Sequence, residues 1–557
     1  MSNVLNEKIR QSFRNIESFK RKNARIFYQL QSLLPEDILE DFKEHANEFY
    51  NKFNQIQKLE HQDRLQTLLQ QNPIKSINFG EGKWLRNLTT TVIPEEIRPI
   101  LALGDKFCPP VQLSKKNLVE VISKIEASIE SKAQLVKLDV RNRVTNVLTN
   151  KLSQPTRELR EHKKLRCLIS KTNQFLKENP QLVVVKADKS NCTVVAEKDL
   201  YIDKIKVLLS DNSTYEKVTP RYRKGVVINE TLCVQRKFNT YISELQLKGF
   251  INQHEGIKLR KYNSAPAKLY GLFKMHKENN PIRPIVAYCG SPGENLAVEF
   301  NKILTPVVGR ASSFVKNALD FKQKLSNIHI PPGHKLFSLD VVSLFTNIPK
   351  DMLFNIIEQK WKEISEHTQI PIDLFKQGLS LLFDNCYFSF DDTTYRQKYG
   401  LPMGCPCSPV LANLVMEFLE QKILHRLKVE FNVNILVYYR YVDDIFIIAR
   451  EEEISLIVRI FNENESERLR FTYEAEEGNC LPFLDVNVHR NNEGILTFDW
   501  YHKSTWSERY LNFNSHLPLR YKRNTIHMLT RKVLELSDEK YQKQNFQLIE
   551  DVLVRNA

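Results

Sequence analysis

Glycine is scarce in this chain, 16 of 557 residues, about 3% where ~7% is usual. Few glycines mean few left-handed turns and few glycine-rich phosphate loops. A helix-rich body follows, in which each glycine present has a local backbone reason. Long apolar runs are missing too. No stretch reaches the ~18 consecutive apolar residues of a spanning helix, and the opening Met-Ser-Asn-Val-Leu-Asn-Glu-Lys-Ile-Arg lacks the apolar centre of a signal peptide, which argues against a membrane partner. The nine cysteines are scattered, odd in number and without a Cys-x-x-Cys pair. That excludes a zinc ribbon and predicts reduced thiols in a cytosolic or nuclear compartment.

What is abundant is positive charge: 81 Lys and Arg against 66 Asp and Glu, a net +15. Such an excess suits a polyanionic partner, and with the membrane disfavoured the partner is nucleic acid. With 42% apolar residues the chain can bury real cores, and at ~100–200 residues per domain its length predicts three or four modules. Apolar residues at helical spacing (Ile9, Phe13, Ile16; Ile26, Phe27, Leu30, Leu33, Leu34) predict helices over 1–70. Pro94, Pro99, Pro109 and Pro110 mark a loop-rich connection, and a helical pattern resumes over 115–178, its second half basic from Arg141 through Arg157 to Arg166. Lys20-Arg21-Lys22 could serve as a short basic nuclear-import signal. Strands are expected at Leu182–Val185 and Thr193–Val195, around the turn Ala187-Asp188-Lys189.

The chemistry concentrates further on. Ile435 to Ala449 reads as a hairpin of two β-rich apolar runs with Asp443 and Asp444 at its turn. About a hundred residues earlier, Asp340 ends an apolar strand before a helix that starts near Lys350. Three carboxylates gathered at strand ends repel one another unless a cation neutralises them, and hard oxygen donors favour Mg²⁺. Two such ions held by aspartates are the usual device for in-line phosphoryl displacement. Between the acidic segments, Tyr399-Gly400-Leu-Pro-Met403-Gly404-Cys-Pro-Cys-Ser408-Pro409 is a tight loop opening a helix through about Lys428. Ser408 is expected as its N-cap, Pro409 as its first residue, and Val410, Leu411, Leu414, Val415, Phe418 and Leu419 as its buried stripe. Two glycines within five residues of a glycine-poor chain suggest a backbone that passes close to a ligand.

In order, the strand-borne Asp340, Pro-Met-Gly404-x-x-x-Ser-Pro and Tyr441-Val-Asp-Asp444 resemble palm motifs A, B and C of reverse transcriptases. Leu269-Tyr-Gly271-Leu-Phe-Lys274-Met-His276-Lys277, Pro281-Ile-Arg283-Pro-Ile-Val286, Gly290-Ser-Pro292, Leu481-Pro-Phe-Leu-Asp485-Val and Tyr501-His-Lys503 to Tyr510 and His516-Leu-Pro518 resemble the Penelope-like retroelement branch, a relative of telomerase. Asp188-Lys189 resembles that branch's Asp-Lys-Gly signature, with Ser190 in place of glycine, and Phe273 stands where proline is usual.

The resemblance implies an α+β right-hand polymerase, with fingers, a palm built on an antiparallel sheet and a helical thumb, plus a helix-rich N-terminal region. The expected boundaries are 1–180 for a basic RNA-binding region, 181–335 for the signature segment and fingers, 336–495 for the palm, and 496–557 for primer grip and thumb. It implies an RNA-directed DNA polymerase, a nuclear enzyme that adds dNTPs to a DNA primer on an RNA template with two Mg²⁺, for which Mn²⁺ can substitute. Asp340, Asp443, Asp444 and the carbonyl of Val341 would hold the metals. Lys274, Arg283, Phe345, Met403 and Gly404 would line the nucleotide, with the Phe345 ring excluding a ribose 2′-hydroxyl. Lys277, Lys503, Tyr510, His516, Arg520, Lys522 and Arg523 would face nucleic acid. No GIY-YIG endonuclease motif is found, so either this is an endonuclease-lacking relative, which would prime from existing nicks or chromosome ends, or the sequence stops before that domain. Two rival readings stay open, a domesticated RNA-binding protein of retroelement origin and a telomerase-type terminal reverse transcriptase. The segment Phe471–Cys480 has no lysine, which leaves the proton donor to pyrophosphate unnamed.

Overall fold

The run Ile445-Phe-Ile-Ile-Ala449 has no polar residue to turn toward water, so a strand built from it must be covered on both faces. The computed structural model, which describes residues 2–31, 33, 35–71, 83–110, 115–130, 132–153, 160–223 and 225–556, shows how. The strand Asp444–Arg450 sends Ile445 and Ile447 into one core and Phe446 and Ile448 into another, all four fully buried. It is an inner strand of a four-stranded antiparallel sheet, in the order Val437–Tyr441, Asp444–Arg450, His334–Val341, Phe471–Ala475. This is the antiparallel sheet expected for the palm, in an α+β chain. Arg157 of the expected basic helix lies outside the described residues.

The first core lies between this sheet and the helix Ser408–Phe431. The expected stripe is buried, Phe418 only partly, but burial also takes in Ala412, Met416, Glu417 and Glu420. Flanking helices Glu294–Leu304, Lys350–Gln359 and Ile454–Asn462 cover the sides that a surface helix would leave wet. Ser408 is not the N-cap. It is the first helical residue, and its buried hydroxyl donates to the carbonyl of Pro402 at 2.9 Å, closing the loop onto itself, while Cys407 takes the cap position without a side-chain bond. The second core fills the opposite face, between the palm strands, a three-stranded sheet (Cys480–Phe483, Val486–Arg490, Leu496–Trp500) and the helices Leu519–Leu536 and Glu539–Arg555.

A five-stranded mixed sheet carries the hairpin Ala267–Phe273 and Ile282–Ala287, the expected fingers element. The strands Leu182–Lys186 and Thr193–Glu197 form where expected, and Leu85–Asn87 adds to them in parallel. By contacts the chain forms two compact units, Met1–Asn78 and Phe79–Ala557. The smaller contains the helices Ser2–Gln31 and Glu36–Gln71; the helices at 115–178 belong to the larger.

Within the larger unit, residues 507–509 tie distant parts of the chain together. The Trp84 indole N–H donates to the Ser507 carbonyl at 2.9 Å, and Lys83 pairs with Glu508 at 2.6 Å. The buried Arg509 guanidinium donates to the Ala102 carbonyl at 2.9 Å and the Thr193 hydroxyl at 3.0 Å. Asn191 and Asn556 donate to the carbonyls of Arg509 (2.6 Å) and Glu508 (2.8 Å).

Beneath the Asp443 turn lies a buried arginine. Arg440 is opposite Ile445, on the face that packs against the helix, and is 0% exposed. Its guanidinium donates to Glu420 at 2.7 Å, to the Asn413 side chain at 2.9 Å and to the Val442 carbonyl at 3.1 Å, with Glu417 at 3.9 Å. Burial pushes the Glu417 carboxyl up, partly offset by the Gly309 amide that donates to it and by Arg440. Removing one member of a buried charged network leaves the others uncompensated. Arg440→Ala is expected to cost about 3–5 kcal/mol in urea unfolding, and Glu420→Gln, which keeps an acceptor, less.

Candidate active site

Pairing decides where the carboxylates meet. Asp444 lies directly opposite Asp340 in the ladder, and Thr472 faces Asp340 from the other side. Tyr441 pairs with Asp444, so Val442 and Asp443 form a two-residue turn that lifts Asp443 above the end of the sheet. Val442 has φ +54°, a left-handed conformation rare for a β-branched residue. Such strain persists only where the surroundings impose it, and here Arg440 holds the Val442 carbonyl.

Like charges opposed across a ladder destabilise it. Asp340 is exposed, and desolvation by the surrounding protein, followed by Asp443, raises its carboxyl above the usual range. Asp444 is half-buried and is pushed up to about 6, by desolvation first and then by Asp443 and Asp340. Three lysines oppose these shifts: Lys189 and Lys503 act on both carboxylates and Lys277 on Asp340.

Among the described residues no group of three or more His, Cys, Asp or Glu side chains is gathered closely enough to hold a metal ion by itself. The donor set still fits Mg²⁺, which takes one or two carboxylates and leaves its other positions to water and phosphate oxygens. Asp340, Asp443, Asp444 and the carbonyl of Val341 are the groups that would hold it.

The loop Gly400–Gly404 forms the floor beside them. Leu401 N–H donates to the Phe345 carbonyl at 2.6 Å, and a Cβ on Gly400 (φ +72°) would lie 2.5 Å from the backbone of Thr346. Val286 N–H donates to the Met403 carbonyl at 2.8 Å, and a Cβ on Gly404 (φ +121°) would lie 2.2 Å from the Val286 carbonyl oxygen. Both glycines are therefore required by close backbone approach, and the loop fixes Phe345, half-buried in the turn Leu344–Asn347, against the fingers hairpin. At that hairpin, Lys274 is half-buried and its ammonium is pushed down by burial, then by Arg283 and Lys277. Arg283 pairs with the buried Asp188 at 3.3 Å.

Other expected residues are placed apart from this cluster. Tyr510 is half-buried in the second core with its ring 6.3 Å from Trp506, and burial raises its phenol. His516 is exposed; its ring meets His162 edge-on at 5.8 Å. Arg520, Lys522 and Arg523 occupy the first turns of the helix Leu519–Leu536, with Arg520 over Tyr521 and Lys522 over Phe513. Sequence reasoning gave Lys189 and Arg440 no role. The signal for Arg440 was an arginine at an inward position of an apolar strand.

Paired strands that oppose aspartates at one end of the sheet, with a glycine loop tied to a basic hairpin, form the candidate site. Residues 275–470 match the family described as reverse transcriptase (RNA-dependent DNA polymerase), and residues 509–557 match the animal helix-turn-helix domain. The chain is 25% identical over 240 residues to the Retron Ec83 reverse transcriptase of Escherichia coli, covering 42% of this chain and 65% of that protein. It is 27% identical over 160 residues to the Retron Ec73 reverse transcriptase of Escherichia coli, covering 28% and 45%. It therefore spans less than two thirds of either relative. Among solved structures, apo telomerase from Candida tropicalis aligns over 82% of this chain and 73% of that one, at 11% identity and a TM-score of 0.41. The chain carries a reverse transcriptase domain.

The opposed carboxylates predict a stability trade. In chelator at pH 7, Asp340→Asn is expected to raise the thermal midpoint. The gain should shrink as the pH falls from 7 toward 5. Asp444 has its pKa raised from 3.8 to about 6 in the folded chain, so the folded state binds more protons than the unfolded one in this window, and stability rises as pH falls. Differential scanning fluorimetry at several pH values reads both effects.

Proposed function

We propose that the chain is an RNA-directed DNA polymerase of the Penelope-like kind, which extends a DNA primer 3′ end on an RNA template. The observation that carries the reading is the register that sets Asp340 against Asp444 with Asp443 on the turn above. The reverse transcriptase match over 275–470 supports the reaction class. Resemblance of the fingers and signature segments supports the branch.

Asp340 and Asp443 are the main metal ligands in this reading, with Asp444 and the Val341 carbonyl beside them. When bound, two Mg²⁺ ions would lower the pKa of the primer 3′-hydroxyl and neutralise the triphosphate and departing pyrophosphate. The chain's own residues do the rest. Lys274 and Arg283 grip the triphosphate, a point charge and a planar fork of donors. Phe345, held by the Gly400–Gly404 loop, blocks a 2′-hydroxyl, so deoxynucleotides are chosen by exclusion. Lys277 and Lys503, exposed and without a carboxylate partner among the described residues, face nucleic acid, as do Arg520, Lys522 and Arg523 on the thumb helix.

A primed RNA template with Mg²⁺ and either dNTPs or rNTPs tests the reading. The wild-type chain is expected to extend the primer with dNTPs. Asp443→Ala should abolish extension while template–primer binding stays within about twofold in a filter assay, because the substitution removes a metal ligand and no phosphate contact. Processive synthesis by Asp443→Ala would overturn the assignment. Phe345→Val is expected to increase ribonucleotide incorporation about tenfold or more, the discrimination a steric wall can supply.

A further inference from the structure

The loop Asp188–Asn191 is built unlike an ordinary strand connection. It joins the strands Leu182–Lys186 and Thr193–Glu197, and two of its non-glycine residues, Lys189 (φ +62°) and Asn191 (φ +52°), are left-handed. Its surroundings impose this from two sides. Asp188 N–H donates to the Phe273 carbonyl at 2.8 Å, at the root of the fingers turn, and the Asp188 carboxylate pairs with Arg283 at 3.3 Å. On the other side the Asn191 amide donates to the Arg509 carbonyl at 2.6 Å. Asp188, Ser190 and Cys192 are at most 5% exposed, yet Lys189 between them is exposed.

A strained, doubly anchored and otherwise buried loop that displays one lysine fits a positioned cation better than a solvated surface residue. Its neighbours say what it is positioned for. Asp188, next to it in the chain, donates to the Phe273 carbonyl and pairs with Arg283, which holds Lys189 at the fingers hairpin, and the Lys189 charge acts on Asp340, Asp444, Lys274 and His276. Among the described residues, no carboxylate lies within ion-pair distance of Lys189, Lys274 or Lys277, whereas Lys186 on the adjoining strand pairs with Asp105 at 3.7 Å. Cations without a carboxylate partner, acting on crowded carboxylates, suit a group that is itself polyanionic and can share metal ions with the carboxylates.

We propose that Lys189 is a substrate-binding residue for the triphosphate of the incoming nucleotide. The inference rests on the polymerase reading and adds a third wall, from the N-terminal hairpin, to a site otherwise made by fingers and palm.

The test compares wild type with Lys189→Ala, Lys189→Gly and Lys189→Arg, using Lys186→Ala as a surface control. Binding of a fluorescent dNTP to the protein–template–primer complex is measured in Ca²⁺, and steady-state extension in Mg²⁺. Loss of one charge-assisted phosphate contact is expected to weaken dNTP binding and raise KM for dNTP about tenfold or more in the Ala and Gly variants. Template–primer affinity should be unchanged, and Lys189→Arg should recover most of the loss. Lys189→Gly relieves the left-handed strain, so its thermal midpoint should equal or exceed that of wild type. That separates substrate contact from a structural role. A KM and dNTP affinity within twofold of wild type would overturn the proposal, as would a parallel loss of template–primer affinity, which would make Lys189 a backbone contact. Failure of the wild-type chain to extend any primer would instead remove the polymerase reading, since the Ca²⁺ binding comparison is read without turnover.

Discussion

The site rests on an arrangement that a sheet ordinarily avoids: two aspartates face each other across a ladder, with a third on the turn above. Nothing in the pairing itself favours this, and the raised carboxyls of Asp340 and Asp444 record the strain. The cost is offset from below. Arg440 locks the turn to the helix behind it through Glu420, Asn413 and the Val442 carbonyl, and the two-sided burial of Ile445–Ala449 prevents the strand from slipping. A one-residue shift would move Ile445 and Phe446 to each other's cores. Register is therefore fixed by volume as well as hydrogen bonds, and the carboxylates have no freedom to separate.

The same logic explains the glycines. In a glycine-poor chain, Gly400 and Gly404 stand where backbone meets backbone, one against Thr346 and the other against the Val286 carbonyl. Through these two contacts the loop joins the turn that carries Phe345 to the hairpin that carries Arg283. Residues from three separate stretches of sequence thus take their positions from a single five-residue segment.

Much of this was legible beforehand because it is local. The two-residue turn at Asp443, the strand ending at Asp340 and the helix after Pro409 each follow from periodicity and turn chemistry within a dozen residues. What could not be read depends on distant partners. Ser408 has the composition of an N-cap, but its hydroxyl turns back to Pro402 because the loop folds over it. Tyr510 sits in a motif that resembles a primer-holding surface, and its half-buried packing beside Trp506 depends on partners that the motif does not name. Arg440 and Lys189 gain meaning only from Glu420, Asp340 and Asp444, which lie far off in sequence or on other elements.

The ties made by residues 507–509 also bear on how the chain reaches its folded state. Trp84 and Ser507 are 423 residues apart, and the Arg509 guanidinium joins Ala102 and Thr193 to the same segment. During synthesis the N-terminal strands can settle early, but the cradle that receives Arg509 has to wait until residues 507–509 have emerged. Contacts of such long sequence separation form late and slowly. The loop carrying Lys189, anchored to Arg509 through Asn191, would then take its final conformation only once that late segment has docked.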